Sequence, residues 1–451
     1  MQAAHPGLEQ RLMSRSSSNR KADTRFVIWS FFLAVLIHLL AMGAVTARFG
    51  AQSFYSENEQ ARIAWSLASG HGFSSPWPNT PFLPTAQQPP LYPWLLAAIF
   101  RLFGLYTLAS FWATATINAT LSGLTATLIY RAGVKHFDRC TALLATAGWL
   151  SLAIMVRFWE SVLSALLVVL ALLLLPENDN DQPSLFRWLA LGTLTGVAML
   201  SNTSLAAVFI PFLAWLWFRE RQAGRASTGK MFAAVGVCFL ILLPWTVRNY
   251  VVFHRLIPVR DNLGLELWVG NHEGVTWICD YGNQFPADHP EEYNRFGEIA
   301  FFEARGKVAV DFIWSHPGEF VHLFVQRVVY FWTAPPENSN YMTPVWALVA
   351  VLSMVGAVLA IKKKRKYAVP WLLALSLFPL VYYVAHPLAI YRHPIEPLIL
   401  LTASYTLSVG LRAYFRAHPR GLPWLSQIFE NTITSDDQPG DPLLNANNQA
   451  R

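Results

Sequence analysis

Repeated apolar runs, each about as long as a bilayer crossing, constrain this chain more than any other feature of its sequence. A hydrocarbon core of about 30 Å needs roughly 20 apolar residues in helical form, and backbone groups inside lipid must pair within their own segment. The runs begin at Phe26, Leu108, Thr141, Ser161, Trp188, Thr203, Met231, Thr343, Ala368 and Pro394. We therefore predict an all-α integral membrane protein with a bundle of roughly ten transmembrane helices.

The basic residues are clustered, and the clusters predict the orientation of the chain. Cytoplasmic loops of membrane proteins carry an excess of Lys and Arg. With the helices above, every cluster falls on one side; the clusters lie at 11–25, 131–139, 219–230, 362–366 and 412–420. This pattern predicts a multi-pass protein of the plasma (inner) membrane with both termini in the cytoplasm. The clusters suit contact with anionic membrane lipids. None is interleaved with stacking aromatic residues, which argues against nucleic acid as a partner.

This orientation divides the chain into five parts. They are a cytoplasmic N-terminus (1–25), an N-terminal transmembrane module with a first outer loop at 50–88 (26–247), an outer-face segment (248–341), a C-terminal transmembrane module (342–415) and a cytoplasmic tail (416–451). A segment as long as 248–341 is usually functional or a small domain of its own. The tail is polar and is expected to be disordered.

The first outer loop carries its own pattern. Apolar residues at 63, 64, 67 and 68 predict a short helix on the membrane surface, which Gly70-His71-Gly72 ends. A proline-rich stretch follows. The apolar run from Tyr92 to Phe103 is too short to span a bilayer, so a half-embedded helix is predicted there.

Two glutamates, Glu59 and Glu160, lie just outside the apolar ends of helices on the predicted outer face. Carboxylates there suit chemistry on a lipid-borne substrate, whereas an ion pathway needs polar groups near the midplane. Each acid also has a structural interpretation. Ser56 and Glu59 match a capping box, and Glu160 could be the N-terminal acid of the helix that begins at Ser161. The pairing of the two acids is what favours a catalytic role.

Several motifs together resemble a known family. They are Glu59-x-x-Arg62-Ile63-Ala64, Gly70-x-Gly72-Phe73, Pro89-Pro90-Leu91-Tyr92-Pro93, Pro244-Trp245-Thr246-Val247-Arg248-Asn249-Tyr250, Leu263-Gly264-Leu265-Glu266, Gly270-Asn271 and Tyr391-Arg392-His393-Pro394. Over about residues 26–412 the chain resembles the GT-C superfamily of membrane glycosyltransferases. More narrowly it is similar to the protein mannosyltransferase and aminoarabinose transferase branch, among bacterial glycosyltransferase family 39-like proteins. Members commonly have Asp where this chain has Glu59, so the longer side chain shifts the geometry.

The resemblance implies transfer of a sugar from a polyprenyl-phosphate donor to an acceptor on the outer face, with inversion at the anomeric carbon. An attacking hydroxyl can lose its proton to a carboxylate, and Glu59 and Glu160 are the catalytic candidates. The phosphate leaving group needs fixed positive charge. Arg392 is the first candidate for that role and Arg248 the second, because an Arg fork matches phosphate oxygens. Both could instead be ordinary interface arginines.

The resemblance leaves the sugar and the acceptor open, and the acceptor could be a protein, a lipid or a glycan. The sequence identifies no definite cofactor. A divalent metal held by Glu59 and Glu160 is left open, since the sequence has no His-x-x-x-His or similar cluster. Two other functions remain open. One is a polymerase or ligase of lipid-linked glycans, which uses Arg and His in place of paired acids, and the other is a non-catalytic transporter of a lipid-linked sugar.

Overall fold

The computed structural model describes the backbone of residues 6–51, 55, 58–80, 82–152, 159–178, 180–275, 286–333, 342–363 and 367–417. Within these ranges the chain is helical, and its one β contact is an isolated bridge between Ser74 and Pro84. The predicted all-α class is therefore confirmed for the described residues. The predicted disordered tail lies, from residue 418 onward, outside them, as do residues 153–158, 276–285 and 334–341.

The helices differ widely in length, from 5 to 44 residues. In chain order they are α1 Pro6–Phe49, α2 Glu59–Ala68, α3 Leu91–Phe103, α4 Leu108–His136, α5 Arg139–Leu152, α6 Ser161–Leu174, α7 Leu185–Ser201, α8 Ala206–Gln222, α9 Thr228–Phe253, α10 Leu263–Gly270, α11 Pro290–Phe296, α12 Glu298–Ser315, α13 Pro317–Thr333, α14 Met342–Lys362, α15 Ala368–Leu377, α16 Leu380–Val384 and α17 Glu396–Ala417. Two 3-10 helices, Thr203–Leu205 and Ala389–Ile395, precede α8 and α17.

Four stretches of helix in the described residues are long and apolar enough to cross a membrane. They are Asp23–Phe49, Thr228–Phe253, Pro344–Lys362 and Ile390–Phe415. Shorter apolar helices accompany them, including Ser161–Leu174 and Leu185–Ser201. The chain is thus a multi-pass membrane protein by the length and composition of its helices. The count of roughly ten spans remains a prediction, because several apolar runs form helices of less than spanning length.

Close helix contacts use glycine where two backbones touch. A Cβ on Gly192 of α7 would lie 2.2 Å from the main-chain oxygen of Ala234 in α9. Small residues at such contacts are typical of helix pairs in membranes, where packing drives association. The apolar side chains of α9 that face away from this contact, such as Phe239 and Leu240, are exposed, as expected of a surface that meets lipid.

Two close backbone contacts fix helix α10, one within the outer-face segment and one to the C-terminal module. Near its start, a Cβ on Gly264 would lie 2.2 Å from the main-chain oxygen of Phe302 in α12. At its end, a Cβ on Gly270 would lie 1.9 Å from the main-chain oxygen of Ala385, which follows α16. Only glycine allows backbones to approach so closely. Helix α10 is therefore held between α12 and the residue that follows α16.

Candidate functional site

Glu59 is the first residue of α2, and its carboxylate is directed away from that helix. The N-cap is Asn58, whose side-chain oxygen accepts a hydrogen bond from the main-chain N–H of Ala61 at 3.1 Å. The carboxylate of Glu59 instead accepts hydrogen bonds from the side-chain amides of Gln87 at 2.8 Å and Gln88 at 2.6 Å. The capping-box interpretation of Glu59 is therefore wrong, because Asn58 closes the helix and Glu59 binds a distant loop.

Glu160 occupies the N-cap position of α6 without making a side-chain capping bond. Its carboxylate accepts a hydrogen bond from Gln60 Nε2 at 2.7 Å and a longer one from Asn202 Nδ2 at 3.3 Å. Gln60 is the chain neighbour of Glu59. The structure thus brings the two predicted acids into one polar cluster. Helix α2 supplies Glu59 itself and Gln60, the hydrogen-bond partner of Glu160.

A third carboxylate, Glu266 on α10, belongs to the same cluster. His386 Nε2 lies 2.8 Å from Glu266 Oε2, and Asn262 donates to the other carboxylate oxygen. Arg260 Nη2 lies 3.5 Å from Glu266, while Arg260 Nε donates to the main-chain oxygen of Gln87 at 3.0 Å. Arg260 therefore joins α10 to the segment that holds Glu59. The Gly270 contact with Ala385 explains why His386, the next residue, reaches α10.

The environment shifts the pKa values of these acids in different directions. Burial, followed by the negative charge of Glu266, raises the pKa of Glu59 to about 6, against the opposing effects of Gln88, Arg260 and Arg62. Burial also raises the pKa of Glu160, with the hydrogen bond from Gln60 acting against it. Burial acts on Glu266 too, but the hydrogen bond and charge of His386 outweigh it and lower the pKa of Glu266. The cluster thus contains one carboxyl with a pKa near neutrality, Glu59, and one that stays ionised, Glu266.

A buried acid outside this cluster, Glu298, ties the first outer loop to the outer-face segment. It is the first residue of α12 and is 3% exposed. Its carboxylate accepts hydrogen bonds from the main-chain N–H of Ala86 at 2.6 Å, from the Thr85 hydroxyl and from the Tyr293 hydroxyl at 3.0 Å. Burial and the nearby carboxyl of Asp261 raise the pKa of Glu298. Residues 85 and 86 directly precede Gln87 and Gln88, so Glu298 fixes the base of the loop that binds Glu59.

The two predicted phosphate-binding arginines are not beside the acids. Arg392, the first candidate for binding the donor phosphate, is 2% exposed, pairs with Glu396 and donates to the main-chain oxygen of Trp332 at 2.9 Å. It lies in a 3-10 helix, Ala389–Ile395, and its buried contacts direct it away from the two acids. Arg248 donates to the main-chain oxygens of Thr85 and Phe73 at 2.7 and 3.0 Å. It therefore braces the first outer loop.

Metal binding at Glu59 and Glu160 stays open. In the described part of the chain no group of three or more His, Cys, Asp or Glu side chains is arranged to hold a metal ion. The polar partners of the two acids are mainly amide nitrogens, which donate to carboxylates and do not bind cations. These contacts fit a proton-transfer site better than a metal site.

No sequence pattern pointed to Arg260, Gln87 or Gln88, and Glu266 was a motif residue without a predicted role. The position of Glu266 could have indicated a role, because an acid on a short apolar helix needs a polar or basic partner. Nothing in the sequence spacing links Arg260 to the first outer loop. That contact depends on how α10 packs on α12.

Comparison with known proteins supports the resemblance seen in the motifs. Residues 87–247 match the model of the dolichyl-phosphate-mannose-protein mannosyltransferase family. The match covers less than half of the chain and includes Gln87, Gln88 and Glu160, but it ends before Glu266. The resemblance to the protein mannosyltransferases is thereby confirmed for residues 87–247. No curated protein matches the chain by sequence.

Among solved structures, the chain is similar to the archaeal oligosaccharyltransferase AglB from Archaeoglobus fulgidus, which was solved in complex with an inhibitory peptide and a dolichol-phosphate. The two share 16% identity with a TM-score of 0.46, over 87% of this chain and 52% of that one. A second Archaeoglobus fulgidus oligosaccharyltransferase structure, in complex with Zn and sulfate, gives 15% identity and a TM-score of 0.46 over 86% of this chain and 49% of that one. ArnT from Cupriavidus metallidurans, bound to undecaprenyl phosphate, gives 15% identity and a TM-score of 0.36 over 83% and 78%. This chain spans about half the length of the two oligosaccharyltransferases.

Proposed function

We propose that this chain, whose residues 87–247 match the protein mannosyltransferase family, is a membrane glycosyltransferase. It transfers a sugar from a polyprenyl-phosphate donor to a hydroxyl acceptor on the outer face of the membrane, with inversion. The observation that carries the proposal is the cluster in which Glu59, Glu160 and Glu266 meet around Arg260. Three separate parts of the chain contribute these acids, so the cluster is a product of the fold.

Glu59 has the properties of a general base. A pKa of about 6 leaves its carboxylate mostly ionised at neutral pH yet basic enough to accept a proton. The amides of Gln87 and Gln88 both donate to Oε2, which fixes the orientation of the carboxylate. In the reaction the acceptor hydroxyl gives its proton to Glu59 as its oxygen bonds to the anomeric carbon. The bond from that carbon to the phosphate oxygen breaks, and its electron pair stays on the phosphate.

Arg260 is the cation best placed for the departing phosphate. It lies at the acid cluster, where its charge acts on Glu59, Glu160 and Glu266. Its contact with Glu266 is long at 3.5 Å, and its side chain is 21% exposed, so the guanidinium is accessible to an anion. A fixed guanidinium stabilises the charge that develops on the leaving phosphate. Arg260 thus replaces Arg392 and Arg248 as the first candidate for this role.

Glu160 acts as a positioning residue in this proposal. It anchors Gln60, the residue next to Glu59, and it also holds Asn202 at the end of α7. These contacts fix the start of α2 against two membrane helices. We expect Glu160→Gln to lower transfer less than Glu59→Gln does, because an amide can keep one of the two hydrogen bonds.

The test uses the full-length protein in reconstituted membranes with a panel of undecaprenyl-phosphate sugars. Release of undecaprenyl phosphate and loss of the lipid-linked sugar are followed by mass spectrometry. Glu59→Gln should reduce turnover of the accepted donor by at least about 100-fold, the scale of a lost general base, while donor binding persists. Glu291→Gln, which changes an exposed acid of the outer-face segment, is the matched control and should retain full turnover.

The same experiment separates the other two functions. A transporter would move the lipid-linked sugar across the vesicle membrane and leave its phosphate bond intact in the unaltered protein. A ligase that relies on Arg and His would keep its turnover in Glu59→Gln and lose it in Arg260→Gln or His386→Gln. Either result would contradict the proposed role of Glu59.

A further inference from the structure

A cavity of about 580 Å³ lies in the first outer loop beside α2. Its volume falls within the range of ligand-binding pockets, which is about 300–1,000 Å³. The residues that line it in the described part of the chain include no acid, so it is separate from the cluster of Glu59, Glu160 and Glu266.

Five aromatic residues line the cavity. They are Tyr55, Trp65, Trp77, Phe82 and Tyr106. The Phe82 ring is 49% exposed, yet its orientation is fixed, because the His71 ring stacks on it with centroids 3.7 Å apart and planes 4° apart. The Trp65 ring is inclined by 26° to the Phe82 ring, with centroids 6.0 Å apart. Fixed flat rings that remain accessible offer a surface for another flat or ring-shaped molecule.

Arg62 is the charged residue among those that line the cavity. It lies one turn after Glu59 on α2, and its Nη1 donates to the main-chain oxygen of Pro76 at 3.2 Å. Its charge acts on Glu59 and on Tyr106. Glu59 is therefore influenced by two arginines in different surroundings, Arg260 in the acid cluster and Arg62 in the cavity.

A ligand that fits this cavity has a ring with an apolar face and an anionic group. The aromatic wall fits the C–H face of a sugar ring, and the guanidinium fits a phosphate or carboxylate. A general base must lie within reach of the hydroxyl that it deprotonates, and Arg62 places the cavity one helical turn from Glu59. The donor phosphate has its own proposed partner in Arg260.

We infer that the cavity beside α2 binds the acceptor, and that the acceptor presents a sugar ring with an anionic group. The ring stacks on Phe82 and Trp65, and the anionic group pairs with Arg62. The assignment to the acceptor rests on the proposed function, whereas the binding of an anionic sugar can be tested without it.

Binding is measured on purified full-length protein by saturation-transfer NMR, with glucose 6-phosphate and glucose as the probes. Glucose 6-phosphate should bind more tightly than glucose. Phe82→Ala should weaken binding of both by roughly 3- to 10-fold, the scale of one aromatic contact. Arg62→Gln should remove the preference for the phosphate while leaving glucose unchanged. Glu291→Gln should change neither. The inference is overturned if neither probe binds, or if the preference for phosphate survives in Arg62→Gln.

A second experiment assigns the ligand to the acceptor role. Thr80, whose side chain lines the cavity, is changed to Cys in a protein with Ser at positions 140, 238 and 279. The thiol is then capped with a small methylthio group or a bulky benzylthio group. The bulky cap should block transfer to the acceptor but leave slow release of undecaprenyl phosphate to water. The same cap on Glu291→Cys should have no effect.

The outcomes of this experiment are distinct. If the bulky cap stops transfer and release to water together, the cavity holds the donor and the inference is wrong. If it stops neither, the cavity is not used and the inference is also wrong. If the uncapped protein releases no undecaprenyl phosphate from any donor, the proposed function fails, while the NMR result still decides whether the cavity binds an anionic sugar.

Discussion

The carboxylate of Glu298 accepts a hydrogen bond from the main-chain N–H of Ala86 at 2.6 Å, although the two residues lie far apart in sequence. This bond joins the outer-face segment to the first outer loop, one residue before Gln87. Gln87 and Gln88 in turn hold Glu59. The position of the proposed base therefore depends on a buried acid on a different helix.

Replacement of Glu298 should lower the free energy of unfolding, because this acid is buried and accepts three hydrogen bonds. Glu298→Ala leaves the Ala86 N–H and the hydroxyls of Thr85 and Tyr293 without their acceptor in a buried setting. Each such loss costs about 1–3 kcal/mol, so we expect the free energy of unfolding to fall by at least about 2 kcal/mol. Denaturation of the detergent-solubilised protein measures this change.

The matched control for Glu298 is Glu303 on the same helix. Its carboxylate is 60% exposed and lies 3.6 Å from Arg255, whose side chain is 63% exposed. Exposed pairs of this kind contribute little, so Glu303→Ala should be close to neutral. Equal destabilisation by the two substitutions would show that the contacts of Glu298 are not what secures the loop.

The pH dependence of transfer should report the charge around Glu59. A base must be deprotonated, and the pKa of Glu59 is about 6, so turnover should rise with pH through about pH 6 and level off above pH 7. Glu266 raises this pKa and Arg260 lowers it. Glu266→Gln should therefore move the rising limb to lower pH, and Arg260→Gln should move it to higher pH. Displacement of both profiles in one direction would contradict the assignment.

Arg260 and Arg392 can be separated by what their loss affects. Arg260→Ala should raise the apparent KM for the donor by about tenfold or more, the scale of a lost charge-assisted hydrogen bond, with little loss of folded protein. Arg392→Ala leaves Glu396, which is 2% exposed, as an uncompensated buried charge, at a cost of about 3–5 kcal/mol. It should lower the yield of folded protein and leave the donor KM of the remainder unchanged.

Arg255→Ala, at an exposed ion pair, is the control for both of these substitutions. If the donor KM rises in Arg392→Ala and not in Arg260→Ala, the donor phosphate binds at the 3-10 helix Ala389–Ile395. Initial rates at several donor concentrations, on matched amounts of folded protein, give the KM values that distinguish the two results.

The sequence was sufficient for the class of fold and for two of the acids. Apolar runs and the pairing of Glu59 with Glu160 follow from local composition, and both acids lie in one cluster in the structure. The arginine beside them was not predictable in the same way. The residues next to Arg260 and Arg392 in sequence do not identify the acids that each arginine meets. The packing of α10 against Phe302 and Ala385 is what brings Arg260 to the cluster.

The orientation in the membrane is the last prediction, and the structure changes how it should be tested. The sequence suggests Ser74 and Asn283 as outer labelling positions and Ser227 as an inner one. However, Ser74 is 1% exposed and Ser227 is 3% exposed, and Asn283 lies outside the described residues. A buried thiol reacts slowly on either side of a membrane, so labelling at Ser74 or Ser227 would not report topology.

Exposed residues give a clear test. Glu273 and Glu291 lie in the predicted outer-face segment, and Gln222 ends α8 within the basic cluster at 219–230. With Ser at positions 140, 238 and 279, Glu273→Cys and Glu291→Cys should react with a membrane-impermeant maleimide on intact cells. Gln222→Cys should react only after the membrane is opened, because Arg219, Arg221 and Arg225 keep that turn in the cytoplasm. Labelling of Gln222→Cys on intact cells would invert the topology and place the acid cluster on the cytoplasmic face.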